Sequence, residues 1–212
     1  TPEWRASYVG GRKDPFTDDQ RTNRTRLRLM GVDRIDRDAR VLDVGAGDGN
    51  LAASLTSMGF TGVVGVEYQP ELLALHPHRH RTVAGSAESL PLPDSSMDAV
   101  VVMDVLHHLV PDQLPDALAE LRRVLRPGGT LFVCEPAQTL TRRALMVPLR
   151  SPLHRLTAYT RAKRTIVDAE GETYEQWLDA ERGFPALTAS SGFAEELVVR
   201  RWLHFFGRWR RT

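Results

Sequence analysis

The stretch RVLDVGAGDGNL, residues 40–51, runs from an apolar segment through an acid into three alternating glycines and on into a new pattern. "RVLDV" reads as a buried strand. "NLAASLTSM" then places Leu51, Leu55 and Met58 on one helical face, with Gly59 as its C-terminal cap. Gly45, Gly47 and Gly49 allow the backbone to turn tightly between the two, with no Cβ to hold a ligand at a distance. The reading of the whole chain turns on what binds there.

The dinucleotide fingerprint G-x-G-x-x-G fails, because Asn50 stands where its third glycine is required. A nicotinamide cofactor is therefore disfavoured. The Walker pattern fails too, since no Gly-Lys-Ser/Thr follows. Asp43 sharpens the choice: a carboxylate beside the loop repels a pyrophosphate and favours a ligand with positive charge. A second apolar strand, "GVVGVEY", ends in Glu67, where an acid can accept hydrogen bonds from both ribose hydroxyls. An adenosine-containing cation satisfies both acids, and S-adenosylmethionine carries an ammonium and a sulfonium.

Outward from the loop, strands alternate with helices. Pro70 suits the first turn of "PELLAL", "MDAVVVMDVL" reads as a third strand, and its valine run fits a strand covered on both faces. Residues 112–126 carry Leu114, Leu118, Leu121 and Leu125 on one stripe, with Pro127-Gly128-Gly129 expected to stop that helix before the strand "TLFVCEP". Such alternation predicts an α/β fold: a Rossmann-like, mostly parallel sheet with helices on both faces and an antiparallel C-terminal edge. Ligands of such sheets bind beyond the carboxyl ends of the strands, where Asp43 to Gly49, Glu67 to Gln69, Met103 to His108 and Glu135 to Gln138 all fall.

The expected organisation is one domain over 1–212. It comprises a mobile arm at 1–21, a cofactor-binding core at 22–136, a helical insertion over the active site at 137–183, and a final helix and strand at 184–212. With 42% apolar and 26% charged residues, the 212-residue chain has the composition of a globular domain. Its formal net charge of +1 argues against a whole-molecule polyanion binder. Residues 1–30 are polar and no apolar run reaches membrane-spanning length, so a soluble, cytoplasmic protein without a membrane span is expected. Cys134 is the sole cysteine, which excludes an internal disulfide and any multi-cysteine metal site.

Four segments, "VLDVGAGDGNL", "VVGVEYQPELL", "VAGSAESLPLPDSSMDAVVVMDVLHHL" and "LRRVLRPGGTLFVCEP", occur in this order over residues 40–136. In text and spacing the chain resembles the class I S-adenosylmethionine-dependent methyltransferases, in the small-molecule branch of the ubiquinone and menaquinone methyltransferase-like proteins. The resemblance implies S-adenosyl-L-methionine as cofactor and S-adenosyl-L-homocysteine as product. It implies that Asp43 and the backbone of Gly45, Ala46 and Gly47 hold the methionine portion and that Glu67 holds the ribose. Tyr68 and Gln69 would flank the adenine, and Ser86, Ala87 and Glu88 would meet its edge. Met103 would offer a carbonyl near the ammonium, and His108 would line the cofactor. Ser86 is a departure, for the family usually carries Asp there, and a hydroxyl is the weaker acceptor.

Methyl transfer from a sulfonium is an in-line displacement, so alignment in a dry site supplies much of the catalysis. A general base is optional; His107 and His108 are the candidates, against the plainer reading that "LHHL" packs on cofactor and helix. His76, His78 and His80 alternate as metal ligands would, but no acidic partner accompanies them, so a solvated loop and no metal is the reading. Cys134 reads as a small buried strand residue rather than a nucleophile. Arg142, Arg143, Arg150, Arg155, Arg161, Lys163 and Arg164 form either a solvated face or a site for an anionic substrate group. In the tail, Trp202, Phe205 and Phe206 read as core or substrate-pocket residues ahead of an RNA-stacking or membrane surface, and Tyr8 as a closing element. The expected partner is a small molecule, and nothing speaks to oligomerisation. Two other functions compete: a nucleic-acid methyltransferase, disfavoured by "MDVL" after the third strand, and a cofactor-binding fold that catalyses a non-methylating reaction.

Overall fold

The computed structural model describes residues 20–75, 81–142, 144 and 171–212. Seven strands form one sheet in the order β3-β2-β1-β4-β5-β7-β6. They are β1 Arg40–Val44, β2 Gly62–Glu67, β3 Thr82–Ala84, β4 Met97–Met103, β5 Leu125–Pro136, β6 Phe193–Arg201 and β7 His204–Arg211. Strands β1 to β5 pair in parallel, while β7 runs antiparallel to both β5 and β6. The expected fold class is thus found, and the final strand expected at the antiparallel C-terminal edge is a hairpin of two, β6 and β7.

Strict alternation divides the core. Leu42 and Val44 of β1, Val100 and Val102 of β4, and Leu131 and Val133 of β5 face one way, toward the helix α4, Leu114–Val124, and toward Trp177, Phe184 and Trp209. Val41, Ala99, Val101, Phe132 and Cys134 face the other way, onto α1, Gln20–Met30, and α2, Asn50–Ser57. Both faces of the central strands are buried, which is why their sequences are apolar throughout rather than alternating. The other described α-helical segments are α3, Pro70–Leu75, residues 140–142 with 144, residues 171–180, and Phe184–Ser190.

Two local readings are corrected. Strand β3 was not expected; with three residues, only the first of them buried, it is too short to show a periodicity. The Pro127-Gly128-Gly129 stretch does not precede β5 but lies within it. Met97 pairs with Leu125 and Ala99 with Thr130, so residues 126–129 bulge out opposite a single residue, with Gly128 at φ +74°. A Cβ on Gly129 would stand 3.0 Å from the Asp98 carbonyl oxygen, which explains glycine at that close approach.

No helix among the described residues is long and apolar enough to cross a membrane. In the tail, Phe205, Phe206 and Trp209 are buried in the core and so cannot stack on RNA, whereas Trp202 is half exposed at the hairpin tip. Gly207 lies against Trp209 so closely that a Cβ would stand 2.0 Å from its ring. Gly207→Ala should therefore lower stability by about 1–3 kcal/mol through overpacking. The check is the urea midpoint, and an unchanged midpoint would show that the indole can move aside.

Candidate active site

Strand order brings the predicted residues into one row. Beyond the carboxyl ends of β3, β2, β1, β4 and β5 come, in turn, Ser86, Glu67, the glycine loop after Asp43, Met103 and Glu135. The loop is built by positive φ values of 72°, 52° and 87° at Gly45, Gly47 and Gly49, which glycine adopts without strain. Its amides point inward. Gly45 N–H and Ala46 N–H donate to the Val66 carbonyl at 2.8 and 3.0 Å, and Gly47 N–H donates to Glu67 Oε2 at 2.7 Å. Glu67 Oε1 accepts the Gln69 N–H at 2.7 Å. A loop that cradles phosphate presents free N–H groups; in this loop those of Gly45, Ala46 and Gly47 are already used.

The acids favour positive charge. Asp43 is 0% exposed and neither of its oxygens has a hydrogen-bond partner. Burial, and then the charge of Glu67, push its carboxyl up to about 8, partly offset by the Ala52 backbone amide, which does not reach hydrogen-bonding geometry. An orphaned buried carboxyl beside a second acid fits a ligand that brings a cation, and the sulfonium cofactor does. The fit extends to Glu67, whose oxygens each accept one backbone N–H and retain further acceptor capacity.

The residues expected beside the adenine are less tightly tied. Tyr68 is 75% exposed, which leaves an aromatic face open beside Glu67. Ala87 is buried, Glu88 Oε1 accepts from Gln113 Nε2 at 2.8 Å, and Ser86 bridges to Ser89. On the other side, Met103 pairs with Cys134 and is followed by Asp104 at φ +56°. Burial alone would raise the Asp104 carboxyl, but Arg26 at 2.7 Å, with His204 and His107, outweighs it and holds it low.

His107 and His108 differ sharply. His107 is buried, with Nδ1 2.7 Å from Glu135 Oε2 and its ring edge-on to Tyr174 at 5.4 Å. His108 is exposed and its ring centroid lies 4.1 Å from that of His107. The protein packed around His108, and then His107, push its imidazole below the ordinary value; since the ring is exposed, this desolvation is partial. Residues following β5 cover this side: Arg142 bonds to the Tyr174 hydroxyl and stacks over its ring, and Trp177 Nε1 donates to the Pro136 carbonyl at 2.8 Å. Arg143, Arg150, Arg155, Arg161, Lys163, Arg164, Tyr8 and the histidines at 76, 78 and 80 lie outside the described residues. Among the described residues, no acid, histidine or cysteine cluster suited to a metal occurs. Cys134 is fully buried, and burial pushes its thiol well above the ordinary value, so it is no nucleophile.

A family profile described as "Methyltransferase domain" matches residues 42–133, the stretch that carries this row. Over that stretch the chain is similar to the class I S-adenosylmethionine-dependent methyltransferases. It is 46% identical over 95 residues to an uncharacterised methyltransferase of Mycobacterium tuberculosis, covering 43% of this chain and 37% of that protein. It is 26% identical over 164 residues to the demethylmenaquinone methyltransferase of Chlorobaculum tepidum, covering 74% of this chain and 66% of that enzyme. The matches thus span about one third to two thirds of the length of these curated relatives. In fold, the PH0226 protein of Pyrococcus horikoshii superposes with a TM-score of 0.71 at 18% identity, over 100% of this chain and 99% of that one. S-adenosylmethionine is the cofactor of this methyltransferase family.

Two residues, Val105 and Glu135, were placed at the strand ends by the sequence but given no role there. Val105 packs on the glycine loop, where a Cβ on Gly45 would come within 2.4 Å of its Cγ2. Glu135 accepts the Val105 and Leu106 N–H groups at 2.8 Å each. The available signal was a lone acid closing an otherwise apolar strand, "TLFVCE".

Asp43 yields a paired prediction. Its folded pKa is raised above the ordinary 3.8, so its contribution to stability is present below that value and is lost as pH rises through about 8. Asp43→Asn should thus make the cofactor-free protein more stable above that range, by on the order of 1 kcal/mol or more. At lower pH the difference should shrink. Thermal melts at several pH values test this, and equal melting of the two proteins at alkaline pH would contradict it.

Proposed function

We propose that the protein transfers a methyl group from S-adenosylmethionine to an oxygen, nitrogen or carbon nucleophile of a small molecule. The observation that carries this reading is the partnerless buried carboxyl of Asp43 beside Glu67, at a loop whose Gly45, Ala46 and Gly47 amides are already bonded to Val66 and Glu67. In this reading Asp43 and the loop carbonyls hold the methionine portion, Glu67 the ribose hydroxyls, and Tyr68, Gln69, Ser86, Ala87 and Glu88 surround the adenine. Ser86 offers a hydroxyl to the adenine amino group, and Met103 a carbonyl to the ammonium. When bound, the cofactor supplies an electrophilic methyl on a sulfonium.

What the chain does around that methyl is orient and exclude water. Tyr174, held by Arg142, covers the His107 side of the site. His107, oriented by Glu135, or the exposed His108 takes the proton of an acceptor that must lose one. The menaquinone relatives support a small-molecule acceptor, and the arginines that follow β5 suit an anionic group on it.

Isothermal titration with S-adenosylhomocysteine, with NAD as control, tests the cofactor. We expect saturable binding of the first alone. Because the ligand's ammonium favours ionised Asp43, binding should release a proton below about pH 8 and tighten as pH rises toward that value. Proton release appears as a dependence of the heat on the buffer's ionisation enthalpy. Heat with NAD and none with S-adenosylhomocysteine would reverse the assignment. Gly45→Ala should weaken binding by about tenfold or more, since the new Cβ meets Val105 and φ is +72°. Formation of S-adenosylhomocysteine in a screen of candidate acceptors then separates methyl transfer from binding alone.

A further inference from the structure

Glu135, the last residue but one of β5, has no exposed surface, and its two oxygens face three consecutive residues of another segment. Oε1 accepts the N–H groups of Val105 and Leu106, and Oε2 lies 2.7 Å from Nδ1 of His107. The two amides open the short helical turn Leu106–His108, where no carbonyl within the turn is placed to accept them. An ionised carboxylate only accepts, so three donors converge on it and the hydrogen of His107 sits on Nδ1. Any proton that His107 takes or gives then passes through Nε2. The same turn carries Val105, whose side chain is packed against Gly45. One carboxylate at the end of β5 thereby reaches the cofactor loop at the end of β1 through a single intervening turn.

We propose that Glu135 is a positioning residue: it holds the Val105–His107 turn against the glycine loop and fixes His107 with its hydrogen on Nδ1. Its functional consequence rests on the cofactor reading given above; its geometry does not. Glu135→Gln discriminates between the two tasks. The glutamine keeps the size and one oxygen for the Val105 and Leu106 amides, but sets an N–H donor against His107 Nδ1. Glu135→Ala removes both the acceptor and the partner.

The experiment combines nitrogen-15 NMR of the histidine side chains at about pH 8, where an ordinary imidazole is neutral, with titration by S-adenosylhomocysteine. His107 is assigned by the loss of its signals in His107→Gln. In the wild type the hydrogen should lie on Nδ1, and in Glu135→Gln it should move to Nε2 while affinity stays within about threefold. Glu135→Ala should bind at least about tenfold more weakly, the loss of one charged acceptor. A wild-type His107 with a bare Nδ1, or Glu135→Ala binding as tightly as wild type, would overturn the proposal. Should Glu135→Ala fail to fold, the tautomer in Glu135→Gln still decides. A wild type that binds no S-adenosylhomocysteine would defeat the cofactor reading while leaving the tautomer result to judge Glu135.

Discussion

Asp43 and Glu67 stand buried at the ends of adjacent strands, and like charges so placed resist being ionised together. The sheet resolves this unequally. Glu67 is steadied by two backbone N–H groups, whereas Asp43 has no partner at either oxygen. A folded chain normally satisfies its buried polar atoms, so an acid left in this state marks where stability has been given up for a ligand. Everything else at the strand ends is arranged about that pair: the inward-facing amides of the glycine loop, the turn after β4 pressed against Gly45, and the exposed ring of Tyr68.

Much of this was legible in the sequence because the relevant signals are local. Apolar runs ending in an acid, glycines where a strand meets a helix, and regular alternation suffice to identify β1, β2, β4 and β5 and to place Asp43 and Glu67 at one rim. Periodicity failed at β3, whose three residues give it too little to repeat, and at Pro127-Gly128-Gly129, where a bulge carries the usual marks of a break. Both are features whose cause lies in the neighbouring strand rather than in the segment itself.

The roles of the two histidines were less legible for a related reason. Adjacent in sequence, His107 and His108 look equivalent, yet one is buried against a carboxylate and the other is exposed. What separates them is Glu135, brought close by the pairing of β4 with β5 across 28 residues of sequence. Long-range partners of this kind leave no spacing to read. The tail aromatics were more legible: Phe205 and Phe206 read as core or pocket residues, and the alternation of β7 sends them into opposite faces of the sheet.

The placement of β7 between β5 and β6 also governs the order in which the molecule can be made. During synthesis β5 leaves the ribosome with one edge unpaired, and residues 137–203 must follow before His204–Arg211 can close it. Through that interval a long apolar strand presents open backbone hydrogen-bonding groups, a hazard for association with other nascent chains. The intervening segment therefore sets a waiting time, and the protein should depend on chaperones more while it is being translated than after it is complete.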